Sequence, residues 1–285
     1  MGEVIGRECR VIFTKSIPGG RMKGILAFLT FLFIIPIGHI LTAAAIKFPA
    51  SGQMDVILIT LAIAIAIMYM TKYLSSEAWE TFCGLIAGVL LWASLFEMGF
   101  RLFVKTFGIN DTKAVELTLI LIVPLVLYLS FNENVRCTFF LQIRRLLHLE
   151  KHSRNDIPVD RWCPRTAVKV FFTMWFGHVA LYYAYDETIF GERGIFTKFL
   201  FTFCFFVGSY LMYRLLKAKE LGFAFRYTIP TVVIIWSCVE TIGRWRANPD
   251  PMAVVDPFLT ISMAAAIIIL AFIIIRAERR AAPGD

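Results

Sequence analysis

Apolar positions fall into eight runs, each of about 20 residues, long enough to cross a hydrocarbon layer of roughly 30 Å as a helix. The runs are 24–46, 55–74, 82–104, 114–131, 167–188, 197–216, 227–243 and 254–275. The pattern inside them is near-continuous, as expected for helices apolar on all sides. The run 227–243 is the shortest and opens close to Pro230. Loops are short except for 132–166, so the pattern predicts an all-α polytopic membrane helix bundle of about eight transmembrane helices.

The long central segment departs from that pattern. Phe139, Phe140, Ile143, Leu146 and Leu147 share one helical face, with Arg144 and Arg145 opposite. This spacing predicts a basic amphipathic helix lying on the membrane, suited to anionic lipid headgroups. The chain divides into a basic segment 1–23, a first four-helix repeat 24–131, the linker 132–166, a second repeat 167–275 and a basic tail 276–285. About 20 polar and basic residues precede the first run, and no clean cleavage pattern follows it. It is therefore expected as a retained helix and not as a signal peptide.

Composition agrees. Hydrophobic residues are 58% of the 285 and charged residues 18%, and mean hydropathy is +0.70. A soluble domain is nearer one-half and one-quarter. The net charge of +8 then reports orientation, and no nucleic-acid partner is expected. With eight alternating spans and a cytoplasmic amino terminus, 21 of the 29 Lys and Arg fall on the cytoplasmic side. That is the positive-inside pattern of a plasma or cytoplasmic membrane protein with both termini cytoplasmic.

Landmarks of the first half return in the second, in order. Gly38-His39 is echoed by Gly177-His178, 139 residues on, and Met68-Tyr69 by Met212-Tyr213, 144 on. Glu77 is echoed by Glu220. Trp92, Glu97 and Arg101 are echoed by Trp236, Glu240 and Arg244, with Trp-to-Glu spacings of five and four. Ala114-Val115-Glu116 resembles Ala253-Val254-Val255-Asp256, with Pro124 and Pro257 following. A repeat of four spans keeps its orientation, so the halves are expected to be parallel about a pseudo-two-fold axis along the membrane normal.

Ionisable groups inside a membrane are costly, and they pair, face the bundle interior or mark a pathway. Glu97, Glu240, His39 and His178 are expected at similar depth in the outer half, with Arg101 and Arg244 one turn beyond the glutamates. These six are the candidate substrate- or ion-binding residues. Against this stands a structural reading: each Glu–Arg pair is an i,i+4 pair that can simply neutralise itself at the rim. Glu77 and Glu220 are expected as solvated pairs with Lys72 and Lys217, and Glu116 and Asp256 as charges suiting helix starts. His148 and His152 sit i,i+4 among Arg and Lys, which favours lipid contact over a metal. The six cysteines lack Cys-x-x-Cys spacing, so neither zinc nor a disulfide is expected.

The expected function is an integral membrane transport or permeation protein using paired Glu and His for a proton, cation or small solute, with no cofactor. One alternative is an electron-transfer subunit in which His39 and His178 ligate a b-type haem or a metal. Another is a membrane anchor or assembly subunit that works with a protein partner or as a homo-oligomer. No phosphate-binding glycine loop, nucleophile elbow or HExxH is present, which leans away from an enzyme.

Overall fold

The computed structural model describes residues 18–74, 76–109, 111–131, 144, 146–147 and 161–246. The segment before residue 18, most of the expected surface helix, His148 and His152, the eighth run and the basic tail lie outside the described residues. Every described element is helical: α1 (Pro18–Ala45), α2 (Ala50–Met70, extended by a 3-10 turn Thr71–Tyr73), α3 (Glu77–Phe107), α4 (Asp111–Phe131), α5 (Trp162–Tyr185), α6 (Ile195–Leu215) and α7 (Leu221–Trp245). Five of them, α1, α2, α3, α6 and α7, are long and apolar enough to cross a membrane.

α7 differs from its sequence expectation. It starts nine residues before Pro230 and runs 25 residues, with the proline inside the helix. Proline cannot donate to the carbonyl four residues back. That carbonyl, of Arg226, instead accepts from the Lys169 ammonium of α5 at 2.9 Å. A neighbouring helix thus meets the acceptor that would otherwise break α7.

The core is made by α1, α3, α5 and α7, whereas α2 and α6 lie outside. The apolar window of α3 is 67% buried and those of α2 and α6 only 17% each. Leu58, Ile59 and Ile63 of α2 and Phe199, Phe203 and Phe206 of α6 are exposed. Such faces are stable against lipid tails and a liability in water.

α3 packs most extensively on α5, and α7 on α6 and α1; α3 and α7 also touch. The α3–α5 approach is close because of Gly84 and Gly88. A Cβ at Gly84 would lie 2.6 Å from the Cys163 carbonyl oxygen, and one at Gly88 2.8 Å from that of Ala167. This is the small-xxx-small spacing of close membrane helix pairs.

Exchanging α1–α3 for α5–α7 carries this set of pairings onto itself. Gly38 of α1 faces Val89 of α3, and Gly177 of α5 faces Val233 of α7. His39 touches its sequence echo His178, and Phe82 touches Phe225, 143 residues on, each with ring centroids 6.0 Å apart. The α1–α2 turn has four residues (46–49) and the α5–α6 turn nine (186–194). That difference of five is the step in offset from 139 to 144.

The amino-terminal ends of α1, α3, α5 and α7, here the starting end, are tied together. Glu77 pairs with Arg226 at 2.5 Å, and the Arg226 guanidinium lies 3.8 Å over the Trp162 ring. The Trp162 N–H donates to Glu80 at 2.8 Å, Arg161 to the Met68 carbonyl at 2.8 Å, and Lys23 to the Lys219 carbonyl at 3.2 Å. The expected Glu77–Lys72 pair is therefore corrected. Lys72 sits over the Tyr69 and Tyr73 rings, and Lys217 bonds the Tyr213 hydroxyl. Glu77 opens α3 facing α7, where a longer-reaching cation is closer.

Candidate functional site

The carboxylate-bearing part of α3 is not an α-helix. Trp92–Met98 is π-helical, between α-helical Glu77–Leu91 and Gly99–Phe107. Five residues span about 1.4 turns of an α-helix, which would put Glu97 on a different face from Trp92. Bonding i→i+5 closes those five residues to about one turn and brings them to the same side. The echo in α7 is regular α-helix, and there four residues separate Trp236 from Glu240. The unequal spacings thus have a physical counterpart in one extra residue carried by the π segment. Leu95 points out of the bundle, whereas Trp92, Ala93, Ser94, Phe96, Glu97 and Met98 are all buried.

Turned inward, Glu97 meets His39 of α1. Nδ1 of His39 donates to Oε1 of Glu97 at 2.9 Å, and an Arg101 Nη lies 3.5 Å from the same oxygen. The histidine, not the i,i+4 arginine, is the nearer partner. His178 of α5 joins from the other side: its ring lies 6.0 Å from that of His39 and 4.8 Å from Trp92, and Trp92 is 5.1 Å from His39. Phe96 closes on His178 at 6.1 Å, and Phe100 stacks beyond it on Tyr182. Gly38 permits the approach, because a Cβ there would lie 3.0 Å from Val89 and 3.3 Å from the Trp92 ring.

The bonding fixes which imidazole nitrogen carries hydrogen. His178 Nδ1 lies 2.9 Å from the Met174 carbonyl oxygen, which can only accept, so Nδ1 is the N–H. His39 likewise donates from Nδ1 to a carboxylate. In each ring, when it is neutral, Nε2 is then a lone-pair acceptor. Glu97 is 8% exposed, and its Oε2 has no hydrogen-bond partner among the described residues; the same holds for Nε1 of the fully buried Trp92.

The other two predicted residues belong to a second cluster at the far end. Arg244 binds Glu192 of the 186–194 turn at 2.9 Å and Glu240 at 3.8 Å, and its guanidinium lies 4.3 Å over Tyr185. The Tyr185 hydroxyl pairs with Thr241 at 2.9 Å, and Trp245 Nε1 donates to the Glu192 carbonyl at 2.8 Å. The expected four-residue site is thus resolved into two clusters. His39, Glu97, His178 and Arg101 form one, and Glu240 and Arg244 belong to the other. The longer turn supplies Glu192, which competes for the arginine. Sequence reading missed Glu192, Tyr185 and the shared indole of Trp92. Glu192 sits in a polar turn with no periodic signal, and Trp92 reads as ordinary packing.

His39 and His178, the pair expected as alternative haem or metal ligands, stand with ring centroids 6.0 Å apart, and the Trp92 indole touches both. Among the described residues no group of three or more His, Cys, Asp and Glu is placed to hold a metal ion. Cys83, Cys163, Cys204 and Cys238 are free thiols. Comparison with protein-family models, with curated proteins and with solved structures finds no match to this chain.

Proposed function

We propose that this protein is an integral membrane transport or permeation protein whose moving species engages His39, Glu97 and His178. One observation carries the reading. Two histidines from two core helices pack on one buried indole, Glu97 of a third helix bonds one of them, and an unsatisfied carboxylate oxygen remains there. Placing such groups inside a bundle is costly, and they recur on substrate and ion pathways.

The proposed architecture is eight spans, built as two parallel repeats of four about an axis along the membrane normal. The exchange of helix pairings, the matched Gly38–Val89 and Gly177–Val233 contacts and the self-contacting echoes support it. Residues on a two-fold axis meet their own equivalents. The positive-inside pattern makes the starting end cytoplasmic and the site non-cytoplasmic in depth. Glu240 and Arg244 then belong to the outer mouth of the second half.

Reconstituted full-length protein tests the reading. Flux should fall sharply in Glu97→Gln and in His39→Gln while both variants keep helicity and elution volume. Wild-type flux in a folded Glu97→Gln/Glu240→Gln double variant refutes it. A haem Soret band in the purified protein would instead restore the electron-transfer reading.

A further inference from the structure

We infer that the species handled at the His39–Glu97–His178 cluster is a proton, passed between these groups. The inference rests on the transport reading and narrows it to one substrate class.

Volume is the first argument. The two imidazoles, Trp92 and Phe96 stand with ring centroids 4.8–6.1 Å apart, which is contact distance for such rings. Trp92 is fully buried, and Phe96 and Phe100 nearly so. A solute or hydrated metal ion would have to part these rings. A proton can use the His39–Glu97 hydrogen bond that is already in place.

Charge is the second. Arg101, 3.5 Å from Glu97 Oε1, is a permanent cation at the same oxygen that His39 uses. A metal cation would enter against it. A proton moves along the existing hydrogen bond instead. The groups facing Glu97 are His39 from α1, Arg101 from α3 itself and His178 from α5.

The step balances simply. A proton arrives at the lone pair of His39 Nε2, and the proton already on Nδ1 leaves to Glu97 Oε1. The ring ends neutral with hydrogen on Nε2 and the carboxylate becomes a carboxylic acid; Glu97 then releases that proton toward the far end, and a side-chain rotation that presents Nε2–H to the regenerated carboxylate leaves Nδ1 to accept the next proton. His178, with the same tautomer and its ring 6.0 Å away, is the adjoining station.

The test uses the full chain in phosphatidylethanolamine–phosphatidylglycerol vesicles loaded with a pH-sensitive dye, driven by a potassium diffusion potential. Wild-type vesicles should acidify. Glu97→Gln and His39→Gln should each slow this roughly a hundredfold, the low end for a positioned proton-transfer group. Lys198→Gln, remote on α6, should leave it unchanged. Unchanged proton flux in folded Glu97→Gln overturns the inference. So does rubidium or zinc flux that depends on Glu97 without proton flux, but that outcome leaves the transport reading standing. Absence of proton, rubidium and zinc flux from wild-type vesicles overturns both.

Discussion

Removing the Glu77–Arg226 pair discriminates between a solvated rim and a structural clasp. Arg226 is the more buried partner, with its side chain 19% exposed against 41% for Glu77. It also stacks on Trp162 and reaches the Thr81 hydroxyl at 3.4 Å. A fully exposed pair contributes about 0.2–1 kcal/mol, and breaking a fully buried one costs about 3–5 kcal/mol. The observed exposures put this pair between those limits. Glu77→Ala leaves Arg226 without its carboxylate but still on the indole, so it should cost about 1–2 kcal/mol. Arg226→Ala loses the carboxylate, the indole and the packing of its stem; it should cost more, about 2–3 kcal/mol. The double variant should fall short of their sum by about 1 kcal/mol. Equilibrium unfolding in mixed micelles with increasing denaturing detergent measures all three. If the coupling lies within about 0.3 kcal/mol of zero, or Glu77→Ala costs as much as Arg226→Ala, the clasp does not exist as described.

Three further outcomes follow from the geometry, each read by the same unfolding assay. Lys169→Met should cost about 1–3 kcal/mol by orphaning the Arg226 carbonyl; adding Pro230→Ala supplies the missing N–H and should recover part of it, whereas no recovery refutes the carbonyl account. Gly88→Ala should destabilise by about 1–3 kcal/mol, because backbone of α5 blocks the new methyl. An effect near zero would mean that α3 and α5 are farther apart. Deleting Leu95 should be tolerated, since it removes the extra residue and converts the π segment to α-helix; deleting Val89, in regular helix, should abolish folding. Equal effects of the two deletions would argue against the π register.

Much of the fold was legible because lipid-crossing helices need long apolar runs: seven of the eight runs coincide with described helices, and five of those helices are long and apolar enough to cross a membrane. Their ends were less legible. α3 begins at Glu77, five residues before its apolar run, because the polar first turn is held by Arg226 across the bundle. α7 absorbs Pro230 because a lysine 61 residues away in sequence satisfies the freed carbonyl. Neither compensation has a local signature. The site was half legible. His39, His178 and Glu97 stood out as ionisable groups in apolar runs, and the structure brings them together. Glu240 stood out for the same reason but was drawn into another cluster by Glu192. The Trp-to-Glu spacing of five was visible, but i→i+5 bonding cannot be read from composition or period.

The π segment and Pro230 together give the two halves different mechanics. Each interrupts the regular i→i−4 ladder of a core helix, one by widening it and one by omitting a donor. In α3 the compliant stretch lies beside the carboxylate itself. In α7 it lies ten residues before Glu240, toward the clasped end. Bending at these points would swing Glu97 directly but would carry Glu240 on a longer lever. A molecule whose helices pair as though duplicated would therefore not bend as a symmetric one, and bending would displace the carboxylate of the first half most directly.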